Sequence, residues 1–111
     1  MIKVLPITKE GLKSRAERFT IDIKGITLRF RISWNNVDES FFFDLRDKDF
    51  EPIILGRKIV YFEDMLGNIH TDKLPDAKII PIDFSGRYNE VTYDNFMEDV
   101  KPFIFTVDNA N

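Results

Sequence analysis

The chain has 111 residues, with 16 basic and 19 acidic side chains for a net charge of −3, and it contains no cysteine. This length suits one domain that buries roughly two thirds of its unfolded surface, and the lack of cysteine excludes disulfides and thiolate metal sites. Basic and acidic residues are interleaved, so we expect no nucleic-acid partner, because such partners require a basic footprint. We also expect no membrane span, since the apolar start breaks at Pro6.

The clearest predicted element is a β-hairpin around Lys24 and Gly25. Apolar and polar residues alternate over residues 19–23 and again over 26–34, which is the period of a half-buried strand. A two-residue turn makes the numbers of paired residues sum to 49, and one face then carries only apolar pairs. These pairs are Phe19–Phe30, Ile21–Leu28 and Ile23–Ile26.

A third predicted strand follows the polar loop over residues 35–40. Closing that loop symmetrically places Phe43 opposite Ile32 and continues the apolar face of the hairpin. Phe42 falls on the opposite face beside Asp44, which indicates that this second face is partly covered. The three strands form a meander whose aromatic face must pack on a second layer.

The rest of the chain predicts shorter elements. We expect two short strands at 53–55 and 59–62 around Gly56, an edge strand at 77–84 limited by Pro81, and a last strand at 103–105. Short helical turns fit the residues from Asp64 and those over 92–97, where Thr92 or Asp94 would be the cap.

The predicted fold class is therefore all-β. We expect a small antiparallel sandwich or a partly open barrel, built on the N-terminal three-stranded meander, with at most one short helix. Residues 1–111 are predicted to form one domain, with 1–8 as a candidate partner-contacting arm and 107–111 as a flexible tail.

No catalytic constellation stands out in the sequence. His70 is the only histidine and lies in a loop segment, so we expect a solvated side chain and not a metal ligand or general base. The five glycines are too widely spaced for a phosphate-binding loop. We therefore predict that the chain is not an enzyme and has no catalytic, cofactor-binding or metal-binding residues and no cofactor.

Three carboxylates lie inside apolar segments, at Asp22, Asp44 and Asp83. Paired carboxylates can hydrolyse glycosides or bind calcium. Strand parity instead places Asp22 and Asp44 on the face of the sheet away from the large apolar side chains. We expect all three carboxylates to be solvated. A cation site at Asp44 and Asp47 would need a third oxygen ligand.

The aromatic residues of the meander have two interpretations. They would suit a stacking platform for single-stranded nucleic acid or sugar, but parity favours the core for most of them. Phe42 is the exception, because it falls on the outer face and suggests a second layer or a partner. The residues concerned are Phe30, Trp34, Phe41, Phe42 and Phe43.

The order of these features, over roughly residues 6 to 106, resembles the baseplate plug family of small contractile-tail phage proteins. The resemblance is carried by the hairpin segments 19–23 and 26–34, Phe41-Phe42-Phe43-Asp44-Leu45-Arg46-Asp47, Ile53-Ile54-Leu55-Gly56, and Tyr93-Asp94-Asn95-Phe96 before Phe103-Ile104-Phe105. It implies a virion protein of the tail baseplate, made in the bacterial host cytoplasm. It also implies multiple copies packed among other tail, baseplate and hub subunits, without catalytic residues or cofactor.

Strand augmentation by residues 1–7 or 103–107 is the contact with another subunit that we predict. The alternative function is a free-standing carbohydrate- or peptide-binding β-sandwich module, in which a ligand would quench Trp34 fluorescence. An enzyme would require a cleft that gathers His70 with carboxylates.

Overall fold

A computed structural model describes residues 3–106, which form two antiparallel sheets and no helix. The sheets face each other as a sandwich and do not close into a barrel. The predicted all-β class is confirmed, in its sandwich form. The strands are β1 Lys3–Val4, β2 Glu17–Ile23, β3 Ile26–Asn35, β4 Ser40–Arg46, β5 Pro52–Lys58, β6 Ala77–Ile82 and β7 Lys101–Thr106.

The meander is part of a four-stranded sheet with the order β2-β3-β4-β5. Its register is as predicted, with Phe19 opposite Phe30 and Ile32 opposite Phe43. Both turn residues, Lys24 and Gly25, have positive φ, the requirement of the type I′ turn that suits the twist of a hairpin. The alternating pattern and this turn therefore determine the register together.

The strand β5 corrects the prediction of two short strands around Gly56. One strand runs through this glycine, which has a φ of 64° and donates its N–H to the Asp44 carboxylate at 2.7 Å. The pairing of β4 with β5 shifts register here, so the irregularity bends the strand without ending it. Residues 59–62 lie outside the strand, and Ile59 is buried in the core.

The second sheet has three strands in the order β1-β7-β6, so β6 is an edge strand as predicted. Lys3 pairs with Ile104, which brings the two ends of the described chain together. The edge of β6 is covered by the following backbone bonds: the N–H of Phe62 to the Pro81 carbonyl at 2.8 Å, and the N–H of Met65 to the Ile79 carbonyl at 2.7 Å.

The core lies between the sheets and is rich in aromatic rings. The rings of Phe41 and Phe96 are in contact with their centres 4.5 Å apart, and in a separate pair Phe19 stacks on Phe30 at 5.1 Å. Such contacts add to the apolar burial of the rings. The other buried members include Leu5, Leu12, Leu28, Ile32, Phe43, Leu45, Ile54, Met65, Ile79 and Ile104.

The predicted turn over 92–97 forms as a single hydrogen-bonded turn, in which the N–H of Phe96 donates to the Thr92 carbonyl at 3.0 Å. Thr92 is the cap, because its hydroxyl accepts the Asn95 N–H at 3.2 Å and the Asn95 side chain accepts the Thr92 N–H at 2.9 Å. The segment from Asp64 also forms a turn, closed by the Gly67 N–H on the Asp64 carbonyl at 3.0 Å.

Candidate interaction surfaces

The sole histidine is exposed and lies in an open groove of about 900 Å³, together with Asp72 and Asp76. Within residues 3–106, neither Asp72 nor Asp76 forms a hydrogen bond with His70. The described part of the groove therefore contains no histidine–carboxylate pair of the kind that a general base needs. Among the same residues, no group of three or more His, Cys, Asp or Glu side chains is placed to hold a metal ion.

Two of the three strand carboxylates stabilise the four-stranded sheet. Asp22 is exposed and accepts the N–H of Gly25 in the hairpin turn at 2.9 Å. Asp44 accepts the N–H of Gly56 and lies 3.8 Å from Arg31 and 4.0 Å from Arg46. Both lie on the face of the sheet that does not carry the large apolar side chains, as parity predicted.

The expectation of a solvated carboxylate is wrong for Asp83, because this residue is only 5% exposed. It lies just after β6, where the chain turns back over it. The Ser85 hydroxyl donates to it at 2.6 Å, and the N–H groups of Ser85, Arg87 and Tyr88 donate at 2.9–3.0 Å. The Ser85 hydroxyl, followed by these N–H groups, holds the pKa of Asp83 below its usual range, against the opposing effect of burial.

Asp47 has a local structural role and does not join Asp44 at a cation site. Its carboxylate accepts the N–H groups of Asp49 and Glu51 at 2.9 Å each and lies 3.2 Å from the Lys73 ammonium. The Glu51 N–H is the main cause of an Asp47 pKa below the usual range, and Lys73 adds to it. Asp47 therefore fastens the loop after β4 and links it to a second loop.

The predicted stacking residues are divided between the core and the surface. Phe30, Phe41 and Phe43 are buried, so they belong to the core, whereas Trp34 and Phe42 are half-buried. Trp34 lines an open groove of about 660 Å³ and is 5.1 Å from the ring of Tyr93. This groove is the place where a small ligand would contact the tryptophan.

A separate apolar surface lies on the outer side of the three-stranded sheet. Side chains of opposite parity to the buried Ile79 and Ile104 point outward, and they are half-exposed. Phe84 is 64% exposed and packs on the ring of Phe103 at 4.6 Å. None of these described side chains is among those that pack on the core. We call this surface the outer apolar face: Val4, Ile80, Ile82, Phe84, Phe103 and Phe105.

Sequence reasoning did not find this face, although a signal for it exists. The segment Ile79-Ile80-Pro81-Ile82 is apolar at successive positions, so both sides of β6 carry apolar side chains. Strands that are covered on both faces have this composition. The composition of the segment therefore indicates that both sides of β6 are suited to be covered.

The two segments predicted to contact another subunit pair with each other in this chain. Lys3 and Val4 form β1 on β7, and Leu5 and Ile7 are buried in the core. Their contact with another subunit stays a prediction. Residues 1–2 and 107–111, which include part of both segments and the predicted flexible tail, lie outside the described residues.

The described residues form a small two-sheet sandwich with a half-exposed apolar face, and exposed apolar faces of this kind mark contact sites. Residues 2–108 match the family described as cyanophage baseplate Pam3 plug gp18. The chain belongs to this family, a family of phage baseplate plug structural proteins, and the resemblance found in the sequence is confirmed. No curated protein matches the chain.

Membership implies a location in the virion tail and assembly with other tail proteins, and it favours a structural, non-enzymatic role. Within the part of the chain that the structure describes, no helix is long and apolar enough to cross a membrane.

Proposed function

We propose that this chain acts through protein–protein contacts in the assembled tail baseplate, near the hub, and that several copies pack against other tail subunits. The observation that carries the proposal is the outer apolar face of the three-stranded sheet. We further propose assembly in the bacterial host cytoplasm, a reducing compartment that suits a chain without cysteine.

The composition of the outer apolar face supports a protein partner. Removing apolar surface from water contributes roughly 25 cal/mol per Å², so covering Phe84 and its neighbours would stabilise a complex. Lys78 and Lys101 lie on the same side of the sheet and provide a charged rim. An apolar centre with a polar rim is the usual anatomy of a protein interface.

The edge of β1 offers a second way to join a neighbouring subunit. Among the described residues β1 is the outermost strand of its sheet, so a partner strand can pair with its outer edge. Deleting residues 1–7 would not test this contact cleanly, because Leu5 and Ile7 are buried and their loss would also destabilise the domain. Surface substitutions are therefore the better test.

The decisive experiment compares Phe84→Glu with Val37→Glu. Val37 is 97% exposed in the loop between β3 and β4 of the four-stranded sheet, so its substitution adds the same charge outside the outer apolar face. We expect both variants to melt as the wild type does. In purified tail particles, we expect the content of the Phe84→Glu protein to fall by about tenfold or more, which corresponds to about 1.4 kcal/mol of contact free energy.

A second substitution on the same face guards against a local effect of the Phe84 loop. Ile80→Glu places the charge on β6 itself, at a half-exposed position opposite Phe103. If both outer-face variants enter particles as efficiently as Val37→Glu does, the outer apolar face is not the contact surface.

The groove beside Trp34 supports a second candidate, a carbohydrate- or peptide-binding module. An indole next to Tyr93, with Lys13 and Glu39 in the same groove, combines an apolar surface with charged groups as small-ligand sites do. Titration with oligosaccharides and short peptides, followed by Trp34 fluorescence, tests this function. Saturable quenching together with absence of the chain from tail particles would favour it over the structural role.

A further inference from the structure

Four arginines lie together on the outer side of the four-stranded sheet. Arg18 on β2 is directly opposite Arg31 on β3, and Arg29 on β3 is directly opposite Arg46 on β4. Their parity is opposite to that of the buried residues Phe30 and Ile32, so they share the outer side. We call these four residues the arginine face.

The arginine face is short of negative charge. Asp44 is opposite Arg31 but is no closer than 3.8 Å to it, and it is shared with Arg46 at 4.0 Å. Arg29 donates to the Lys48 carbonyl at 3.1 Å, and the exposed Arg18 has no ion-pair partner among residues 3–106. Like charges directly opposite each other destabilise a sheet, so the arrangement disfavours the isolated fold.

An exposed aromatic side chain borders the same surface. The Arg29 guanidinium lies 4.2 Å from the centre of the Phe50 ring, and Phe50 is 64% exposed. Its φ of 64° is a rare conformation for an aromatic residue, held where its N–H donates to the Asp47 carbonyl at 3.0 Å. Arginine and exposed aromatic residues together are typical of the energetic centre of protein interfaces.

We propose that the arginine face, with Phe50 at its border, binds an acidic protein segment. Carboxylates of that segment would accept paired hydrogen bonds from the guanidinium groups, and an apolar side chain would contact Phe50. The surface is distinct from the outer apolar face, which is on the other sheet. The proposal does not depend on the tail contact proposed above.

A protein partner fits this surface better than a nucleic acid. The arginines span three strands, which is about 10 Å across at the usual strand spacing. Carboxylates of Asp22 and Asp44 lie on the same side of the sheet, and the whole chain has a net charge of −3. A long polyphosphate would extend beyond the arginines and over these carboxylates, whereas a short acidic segment can stay within the arginine face and contact the exposed ring.

The test measures fluorescence anisotropy of a labelled peptide of alternating glutamate and glycine with one central leucine, titrated with the full chain at low salt. The double variant Arg18→Gln with Arg31→Gln should weaken binding by about tenfold or more, because it removes half of the guanidinium groups. The control, Arg15→Gln with Lys78→Gln, removes two exposed positive charges from other parts of the surface. It should change binding by less than about twofold.

Several outcomes would overturn the proposal. The arginine face is refuted as a site if the wild type does not bind the peptide. It is also refuted if the two double variants weaken binding equally. Equal binding of the same peptide with glutamine in place of each glutamate would refute recognition of carboxylates. Tighter binding of a single-stranded oligonucleotide of equal charge would replace the acidic segment with a nucleic acid. A thermal melt of the Arg18→Gln, Arg31→Gln variant excludes misfolding. Removing two positive charges that face each other across the strands should leave the melting temperature unchanged or raise it.

Discussion

Phe41→Ala is the sharpest test of the packing described above. Phe41 is fully buried, and its ring lies 4.8 Å from Trp34, 5.6 Å from Tyr93 and 4.5 Å from Phe96. Truncating a buried phenylalanine to alanine costs about 3–5 kcal/mol, through lost burial and the cavity that remains. Domains of this size are stable by about 5–15 kcal/mol, so we expect the variant to fold with much of its stability lost.

Urea unfolding followed by tryptophan fluorescence measures this loss directly. Trp34 is the only tryptophan and is in contact with the substituted side chain, so its emission reports on the cluster itself. With a urea slope of about 2 kcal/mol per molar, a loss of about 4 kcal/mol lowers the midpoint by about 2 M. Circular dichroism should give the same midpoint if unfolding is two-state.

The matched control is Phe42→Ala, one residue along the same strand. Phe42 is half-buried on the opposite face, where it pairs with Ser33 and Lys58. We expect its substitution to cost about 1 kcal/mol, as is typical of point substitutions outside a core. Equal losses for the two variants would refute the assignment of one buried and one open face to this strand.

Two further substitutions test the correction at Asp83 and the irregularity in β5. Because hydrogen bonds lower the folded-state pKa of Asp83, its stabilisation is present above the unfolded value near 3.9 and is lost as pH falls. In melts between about pH 5 and 3, Asp83→Asn should therefore lose less stability than the wild type, and an equal slope would contradict this. Gly56→Ala should cost about 1 kcal/mol from its positive φ alone, since an added Cβ meets nothing within 4 Å; an unchanged melting temperature would contradict it.

The candidate surfaces could be predicted only in part. Parity placed Phe42 and the carboxylates of Asp22 and Asp44 on the outer side, and the structure agrees. The prediction for Asp83 failed because the sequence analysis included this residue in a strand over 77–84, whereas β6 ends at Ile82 and the turn over residues 84–88 buries the carboxylate. The arginine face follows from the predicted register of the meander, which pairs Arg18 with Arg31 and Arg29 with Arg46. The full extent of the outer apolar face depends on β1, β7 and β6 becoming neighbours, and the pattern of a single strand does not contain that information.

The amino-acid sequence by itself determined the meander of β2, β3 and β4. Alternation with a period of two, a glycine in the turn and short loops leave one register that keeps Phe19, Phe30 and Phe43 on a single side. Only the tertiary structure decided the pairing of Lys3 with Ile104 and the single strand through Gly56. The pairing of Lys3 with Ile104 spans the whole chain, so it depends on how the two sheets bury their shared core. The strand continues through Gly56 because the Asp44 side chain accepts the Gly56 N–H, a contact that the alternating pattern does not contain.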